Sequence, residues 1–285
     1  MKSIPQIHVT KMSGEQVMFD AEKLRRSLTR SGASPQTANE IIREMEPDLY
    51  EGIPTKVIYQ WARKLLHKHS RSHAARYSLK KAIRDLGPTG YPFEKYIGAL
   101  LKEEGYQTEV NVIIQGHCVK HEVDVVASQG SRQFMIECKF HSDPVNKCNV
   151  QVPLYIQSRF IDIKTREEER DGHNHIIHQG WVVTNTRFTE DALQFGTCMG
   201  LYMLSWDHPR GQSLRERIDR SGLHPVTCLS SLSGSEKQSL LNRGIVLCRQ
   251  LLESLSEGPV TGVDHRKTDR IREEVIQLCH IVPKT

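Results

Sequence analysis

The sequence predicts an α/β protein: a mixed β-sheet flanked by helices, with a small hairpin-plus-four-helix domain before it and a helical region after it. Three observations carry this. Apolar and polar residues alternate in three consecutive runs, roughly 108–114, 119–127 and 133–140, separated by turns containing Gly116 and Gly130. Helical periodicity brackets those runs on both sides. Gly87-Pro88-Thr89-Gly90 is the strongest interruption in the chain, and it divides residues 1–88 from 89–210. Residues 211–285 show no strand pattern and read as a separate helical region.

In the first domain, Ile7–Lys11 and Glu15–Phe19 flank a Ser13-Gly14 turn and predict a hairpin. Asp20 caps a helix carrying Leu24 and Leu28 four apart. Ser34-Pro35 is an N-cap followed by proline at the first helical position, opening a second helix to about Leu49. A third runs from Pro54 to about His69 and a fourth from Ser72 to about Leu86.

In the second domain, a helix from Phe93 to Glu104 places Phe93, Ile97, Leu100 and Leu101 on one stripe. After the three strands come a helix near 149–163, a strand at Gly180–Thr184, a helix near 188–199 and a strand at 201–205. The order is αβββαβαβ, which packs as a mixed sheet between helices. In the last region, Glu236–Leu241 and Ile245–Leu255 flank Asn242-Arg243-Gly244. A charged stretch at 257–270, expected to be mobile, precedes a short final helix.

Composition narrows the function classes. No apolar run approaches the ~20 residues of a membrane span, and the start MKSIPQIHVTKMSG lacks the apolar stretch of a signal peptide. Seven scattered cysteines are not a disulfide framework, so free thiols in the cytoplasm are expected. Charge is unevenly spread. Residues 1–88 hold 16 Lys and Arg against 9 Asp and Glu, whereas residues 89–210 hold 12 against 16. The first segment suits polyphosphate or DNA backbone, and the second suits carboxylates that hold a cation.

Chemistry concentrates in the second domain. Hydrolysing a phosphodiester requires a cation at the non-bridging oxygens, a deprotonated water and stabilised charge on phosphorus. Two carboxylates on adjacent strands can hold Mg²⁺ through hard oxygen ligands. A lysine two residues beyond the second carboxylate shares its face of the strand. Asp124, within Glu122-Val123-Asp124-Val125-Val126, and Glu137 with Lys139, within Ile136-Glu137-Cys138-Lys139, supply that pattern. Glu94 on the preceding helix can face the same metal or one of its waters. The bland alternative makes these solvated charges at strand edges; apolar flanking on both strands weighs against it.

Residues 91–206 also resemble a known family, the Mrr-like restriction endonucleases of the PD-(D/E)xK superfamily. The resemblance lies in Tyr91-Pro92-Phe93-Glu94-Lys95-Tyr96-Ile97 with Gly105-Tyr106, in Glu122–Val126, in Ile136–Lys139, and in Gly180–Thr189 with Ala192 and Gly200-Leu201. It implies a restriction-endonuclease-like αβββαβαβ core and a Mg²⁺-dependent endonuclease acting on double-stranded DNA, with Mn²⁺ able to substitute. Asp124 and Glu137 are then metal ligands, Lys139 the catalytic lysine and Glu94 the accessory carboxylate. Glu122 stands where the family often has glycine.

Residues 5–86 resemble the ATP-cone, an allosteric nucleotide-binding domain. The matching pieces are Val9-Thr10-Lys11 with Gly14, Phe19-Asp20, Lys23-Leu24, Gly52-Ile53 with Thr55, and Ala75-Arg76-Tyr77. Lys11 and Lys23 can converge on phosphates, and Thr55 opens a helix whose N-terminus favours anions. Tyr59, one turn on, can contact base or ribose. The resemblance implies ATP or dATP as an allosteric ligand of Val9, Thr10, Lys11, Lys23, Thr55 and Tyr59. Met12 stands where a second basic residue is usual. The expected assembly is a homo-oligomer, dimer or higher, with no membrane partner.

Other signals are weaker. His117-Cys118, His121, Cys138, His141 and Cys148 can be assembled into a zinc set, but no CxxC pair exists and free thiols with surface histidines are preferred. His173-Asn174-His175 and His178 are read with Thr165–Asp171 as a polar, charged loop. The turn at 242–244 is similar to DNA-binding helical hairpins that offer backbone N–H groups to phosphate. No Walker A pattern is present, so nucleotide hydrolysis is not expected. The competing function is a nucleotide-sensing DNA-binding regulator without nuclease activity.

Overall fold

The computed structural model describes residues 6–171 and 177–279. In chain order the elements are β1 (His8–Thr10), β2 (Gln16–Met18), α1 (Ala21–Arg30), α2 (Pro35–Met45), β3 (Ile53–Pro54), α3 (Thr55–His69), α4 (Arg71–Tyr77), α5 (Leu79–Arg84) and α6 (Tyr91–Glu103). There follow β4 (Gln107–Gln115), β5 (Lys120–Gln129), β6 (Arg132–Lys139), β7 (Lys147–Cys148), α7 (Gln151–Asp171), β8 (Ile177–Thr184), β9 (Arg187–Phe188), α8 (Glu190–Cys198) and β10 (Tyr202–Leu204). Last come α9 (Leu214–Ser221), α10 (Gly234–Asn242), α11 (Cys248–Glu257) and α12 (Thr268–Cys279).

The chain forms two compact units. One comprises residues 1–79, 228–233 and 264–285; the other comprises 80–227 and 234–263. The helical tail is thus shared between them instead of standing as a third body.

In the first unit the expected hairpin is present, with Gly14 at φ +83° closing the turn on the Lys11 carbonyl. Asp20 accepts the Lys23 N–H at 2.8 Å and Ser34 accepts that of Thr37 at 3.0 Å, each cap stabilising its helix by about 1 kcal/mol. Helix α2 ends at Met45, four residues early, because Glu46–Asp48 tightens into a 3-10 turn containing Pro47. The short strand β3, missing from the sequence reading, pairs parallel with β1 (Val9↔Ile53, Thr10↔Pro54). The expected fourth helix is two helices, α4 and α5, broken at Ser78, whose hydroxyl bonds back to the Ala74 carbonyl at 2.9 Å. Leu28, Ile41, Ile42, Ile53 and Leu66 form the core.

Helix α12 completes this unit. Ile271, Val275 and Leu278 are fully buried, Glu274 accepts the Ser230 and Ser231 N–H groups at 2.6 and 2.9 Å, and Arg76 caps the carbonyls of Gln277 and Leu278. The stretch before it, expected to be mobile, is organised by Asp264, which caps a 3-10 turn at His265–Lys267.

The second unit holds the predicted mixed sheet, in the order β10-β8-β6-β5-β4. Strands β4, β5 and β6 are antiparallel neighbours; β6, β8 and β10 run parallel. A further two-stranded pair, β7 with β9, was not anticipated because each strand is two residues long. Helix α7 runs to Asp171, so Thr165–Asp171 is helical and not a loop. His178 lies on β8 with its ring edge-on to Phe134; His173, Asn174 and His175 lie outside the described residues.

Strand alternation breaks midway along β4 and β5. Val110 and Val125 face Gly98 of α6, where an added Cβ would lie 3.0 and 3.9 Å from them. Val112, Ile114 and Val123 instead pack with Phe160 and Ile163 of α7. The change of face falls at Asn111, which has φ +57°, and opposite it at Asp124; the pairing passes from Val110↔Val125 to Val112↔Val123. Asp124 therefore sits at a local twist between the two helical faces.

Candidate active site

Four carboxylates gather where β5 and β6 part. The ladder between these strands ends at Val125↔Ile136, so Asp124 and Glu137 occupy the next positions. Just beyond, the Cys138 N–H donates to Asp124 Oδ2 at 2.7 Å. Glu94 comes from the first turn of α6, which Gly90, Tyr91 and Pro92 open, and whose stripe of Phe93, Ile97, Leu100 and Leu101 is buried against the sheet. Glu122 is the fourth, exposed on β5.

Their charges act on one another. Burial, then the charges of Asp124, Glu137 and Glu122, push Glu94 up to about 7. Burial, then Asp124, push Glu137 to about 7 against the opposing pull of Arg159 and Lys139. Asp124 is also raised, mainly by burial, although the Cys138 N–H and Arg159 favour its charged form. Like charges held close in a half-dry site disfavour ionisation, so the cluster lacks positive charge. Lys139 is exposed at the end of β6, beside Thr184 of β8, and its charge reaches both Asp124 and Glu137.

All four residues expected from the sequence are thus brought together; Arg159 and Glu122 were missed. Arg159 Nη1 bonds Glu137 Oε2 at 2.7 Å, its side chain is 11% exposed, and its guanidinium lies 5.5 Å from the Tyr155 ring centroid. A small cavity beside this pair is lined by Val123, Met135, Ile136 and Ile156. The sequence carried a signal: Ile156, Arg159 and Ile163 share one helical stripe, and a charge on a buried stripe needs a partner. Glu122 had none beyond standing two residues before Asp124.

The residues fit a divalent cation in chemistry. Among the described residues, each of Asp124 and Glu137 has one oxygen engaged, by Cys138 N–H and by Arg159, which leaves the other for a hard ion. Among the described residues no three of His, Cys, Asp and Glu stand close enough to enclose an ion by themselves. A two-carboxylate site completed by water is the arrangement open to them, and Mg²⁺ keeps several waters.

Two of the residues considered for zinc, Cys118 and His121, are held by a carboxylate instead. Asp162 of α7 accepts His121 Nε2 at 2.7 Å and the Cys118 N–H at 2.8 Å, clamping the β4–β5 turn to the helix. Gly116 is required there because a Cβ would collide with the Asp162 carboxylate. The turn at 242–244 does not offer its N–H groups: those of Arg243, Gly244 and Ile245 are bonded to the carbonyls of Ser239, Leu240 and Leu241.

In the first unit, pairing of Thr10 with Pro54 puts Lys11 beside Thr55, the first residue of α3, whose N-terminus has no side-chain cap. Thr10 Oγ1 bonds the Gly52 carbonyl at 2.9 Å, and Lys11 pairs with Glu15 at 2.9 Å. Lys23 is exposed in the first turn of α1, and the Val9 side chain is buried in the core. Tyr59 stacks on Tyr77 with ring centroids 5.2 Å apart, and its hydroxyl is buried with no partner among the described residues.

Comparison with known proteins assigns these units. An uncharacterized protein of Archaeoglobus fulgidus is 34% identical over 158 residues, 55% of this chain and 84% of that protein. The chain belongs to the AF1548-like family. Residues 224–279 match the AF1548-like C-terminal domain, so this part of the family straddles both units. The crystal structure of AF1548, a protein of unknown function, is 30% identical with a TM-score of 0.54, covering 67% of this AF1548-like chain and 99% of that one. Residues 7–86 match the ATP cone domain and residues 87–155 the Mrr restriction endonuclease domain. The fold is therefore a restriction-endonuclease-like α/β core preceded by an ATP-cone. The DNA modification-dependent restriction endonuclease AspBHI is 16% identical with a TM-score of 0.33, over 60% of this chain and 39% of that one. The nuclease domain implies a divalent metal and the ATP-cone a nucleotide. Among the described residues no helix is long and apolar enough to cross a membrane.

Proposed function

We propose that the protein is a Mg²⁺-dependent endonuclease that hydrolyses phosphodiester bonds of double-stranded DNA, with ATP or dATP as an allosteric ligand of its ATP-cone. The observation that carries this reading is the gathering of Glu94, Asp124 and Glu137 with Lys139 where β5 and β6 part, inside a segment matching restriction endonucleases. Asp124 and Glu137 would hold Mg²⁺, or Mn²⁺ in its place. Bound there, the ion supplies positive charge to the phosphate oxygens and acidity to water. Lys139 offers its ammonium to the attacking water and to charge growing on phosphorus. Glu94, held up to about 7 by burial and the neighbouring carboxylates before the ion binds, would give up its proton as the ion's charge offsets theirs. Arg159 holds Glu137 in place.

In the ATP-cone, the backbone at Val9 and Thr10, the N-terminus of α3 at Thr55, and the charges of Lys11 and Lys23 would receive the phosphates, with Tyr59 against base or ribose. A cytoplasmic homo-oligomer, dimer or higher, is the working assembly, since one metal site per chain cuts one strand.

Plasmid incubated with the purified protein and Mg²⁺ is expected to be nicked or linearised, and EDTA should stop this. Asp124→Ala and Lys139→Ala should each lower the rate about 10²–10³-fold, the scale on which charge stabilisation acts, while leaving the protein folded. Cleavage surviving in either variant refutes the assignment. No cleavage by wild type, with nucleotide-dependent DNA binding, would favour a regulator without nuclease activity. ATP titrated into the assay should change cleavage rate or oligomeric state; neither moving would remove the allosteric reading.

A further inference from the structure

A second concentration of charge lies beyond the carboxylates. Lys139 reaches electrostatically to Cys148, whose neighbour Lys147 pairs across β7–β9 with Arg187. Arg187 Nε bonds Asp207 Oδ2 at 2.6 Å. Lys80 of α5 lies over the buried Trp206 ring, 5.7 Å from its centroid, and faces Arg187, Arg84 and Arg215 with Asp207 as the one acid among them. Crowding by these cations, after burial, depresses the Lys80 ammonium. Arg215 Nε is buried with no partner among the described residues, and its guanidinium reaches only Glu216, 3.8 Å away. Glu216 is itself held by the N–H and hydroxyl of Ser213, in the cap of α9.

Among these described residues, five cations stand against two acids, Asp207 paired with Arg187 and Glu216 held in the α9 cap. An excess of one sign repels itself and attracts a polyanion. We propose that Lys147, Arg187, Lys80, Arg84 and Arg215 form a track for the phosphodiester backbone of duplex DNA, leading away from Lys139 and holding the strand that flanks the scissile phosphate. The track rests on the nuclease reading for its substrate. Contacts to phosphates set register and orientation on the duplex and carry no sequence information directly.

The test is the salt dependence of binding. A fluorescein-labelled DNA duplex is titrated with full-length protein in Ca²⁺ instead of Mg²⁺, and log Kd is plotted against log salt. Each phosphate contact contributes a slope of about 0.9. Lys147→Gln, Arg84→Gln and Arg187→Gln should each reduce the slope by about 0.9, and Lys147→Arg should keep it. Melting curves check that each variant folds. Unchanged slopes in a protein that cuts DNA overturn the track and leave the nuclease reading standing. Slopes that fall in a protein that never cuts support the track and remove the nuclease. In a second arm inorganic tripolyphosphate replaces the duplex. Saturable binding lost in Arg187→Gln, with duplex slopes unmoved, would overturn assignment to DNA.

Discussion

Glu94 and Glu137 each lie near 7, whereas an unfolded chain holds them at about 4.5. Between those values the folded state carries the extra protons. By proton linkage, the stability these two groups contribute is fully present below about 4.5 and is lost as pH rises through about 7. A divalent ion reverses the balance, because it favours the ionised carboxylates. Melting temperature measured from pH 5.5 to 8.5, a range set about these values, should therefore fall with pH in EDTA and fall less, or rise, in Mg²⁺. The gap between the two curves should widen above about 7. Parallel curves would mean that the carboxylates do not share an ion. Arg159 limits the fall by holding Glu137, so Arg159→Met should steepen it.

At the scale of elements, the twist at Asn111 and Asp124 decides where the aspartate points. A non-glycine residue in the left-handed region costs about 1–2 kcal/mol, and asparagine bears this better than β-branched residues. Asn111→Gly should be tolerated, whereas Asn111→Val should lower stability by about 1–2 kcal/mol and slow cleavage by returning β4 to plain alternation. Chemical denaturation and plasmid assays measure both effects; a fully active Asn111→Val would show that the twist does not position Asp124. The same place marks the limit of the sequence reading. The strands of the main sheet, their order along the chain and the four residues that the structure gathers were legible because alternation, Gly116, Gly130 and the Glu137–Lys139 spacing are local signals. The change of face was not, since Val110, Val112, Val123 and Val125 are identical in sequence and only packing separates α6 from α7. The strands β3, β7 and β9 were missed because two residues carry no periodicity. The break at Ser78 was missed because a serine bonding back to Ala74 looks like any helical serine.

For the whole molecule, the division of the tail is the main departure from a reading in consecutive segments. Burial of Ile271, Val275 and Leu278 contributes roughly 1.5–3 kcal/mol apiece, a large share of what stabilises any domain. Removing residues 264–285 should unfold or loosen the first unit and abolish binding of a fluorescent ATP analogue. The cleavage unit, which includes none of those residues, should keep its own cooperative melt. Nucleotide binding that survived the truncation would separate α12 from the ATP-cone's stability.

Synthesis from the amino end gives that arrangement a temporal meaning. Every residue of the sheet and its carboxylates leaves the ribosome before α12 does, so Glu274 and Arg76 find their partners only after the catalytic fold is already made. A nascent chain thus holds the residues of the restriction-endonuclease-like unit while its ATP-cone unit still waits for α12.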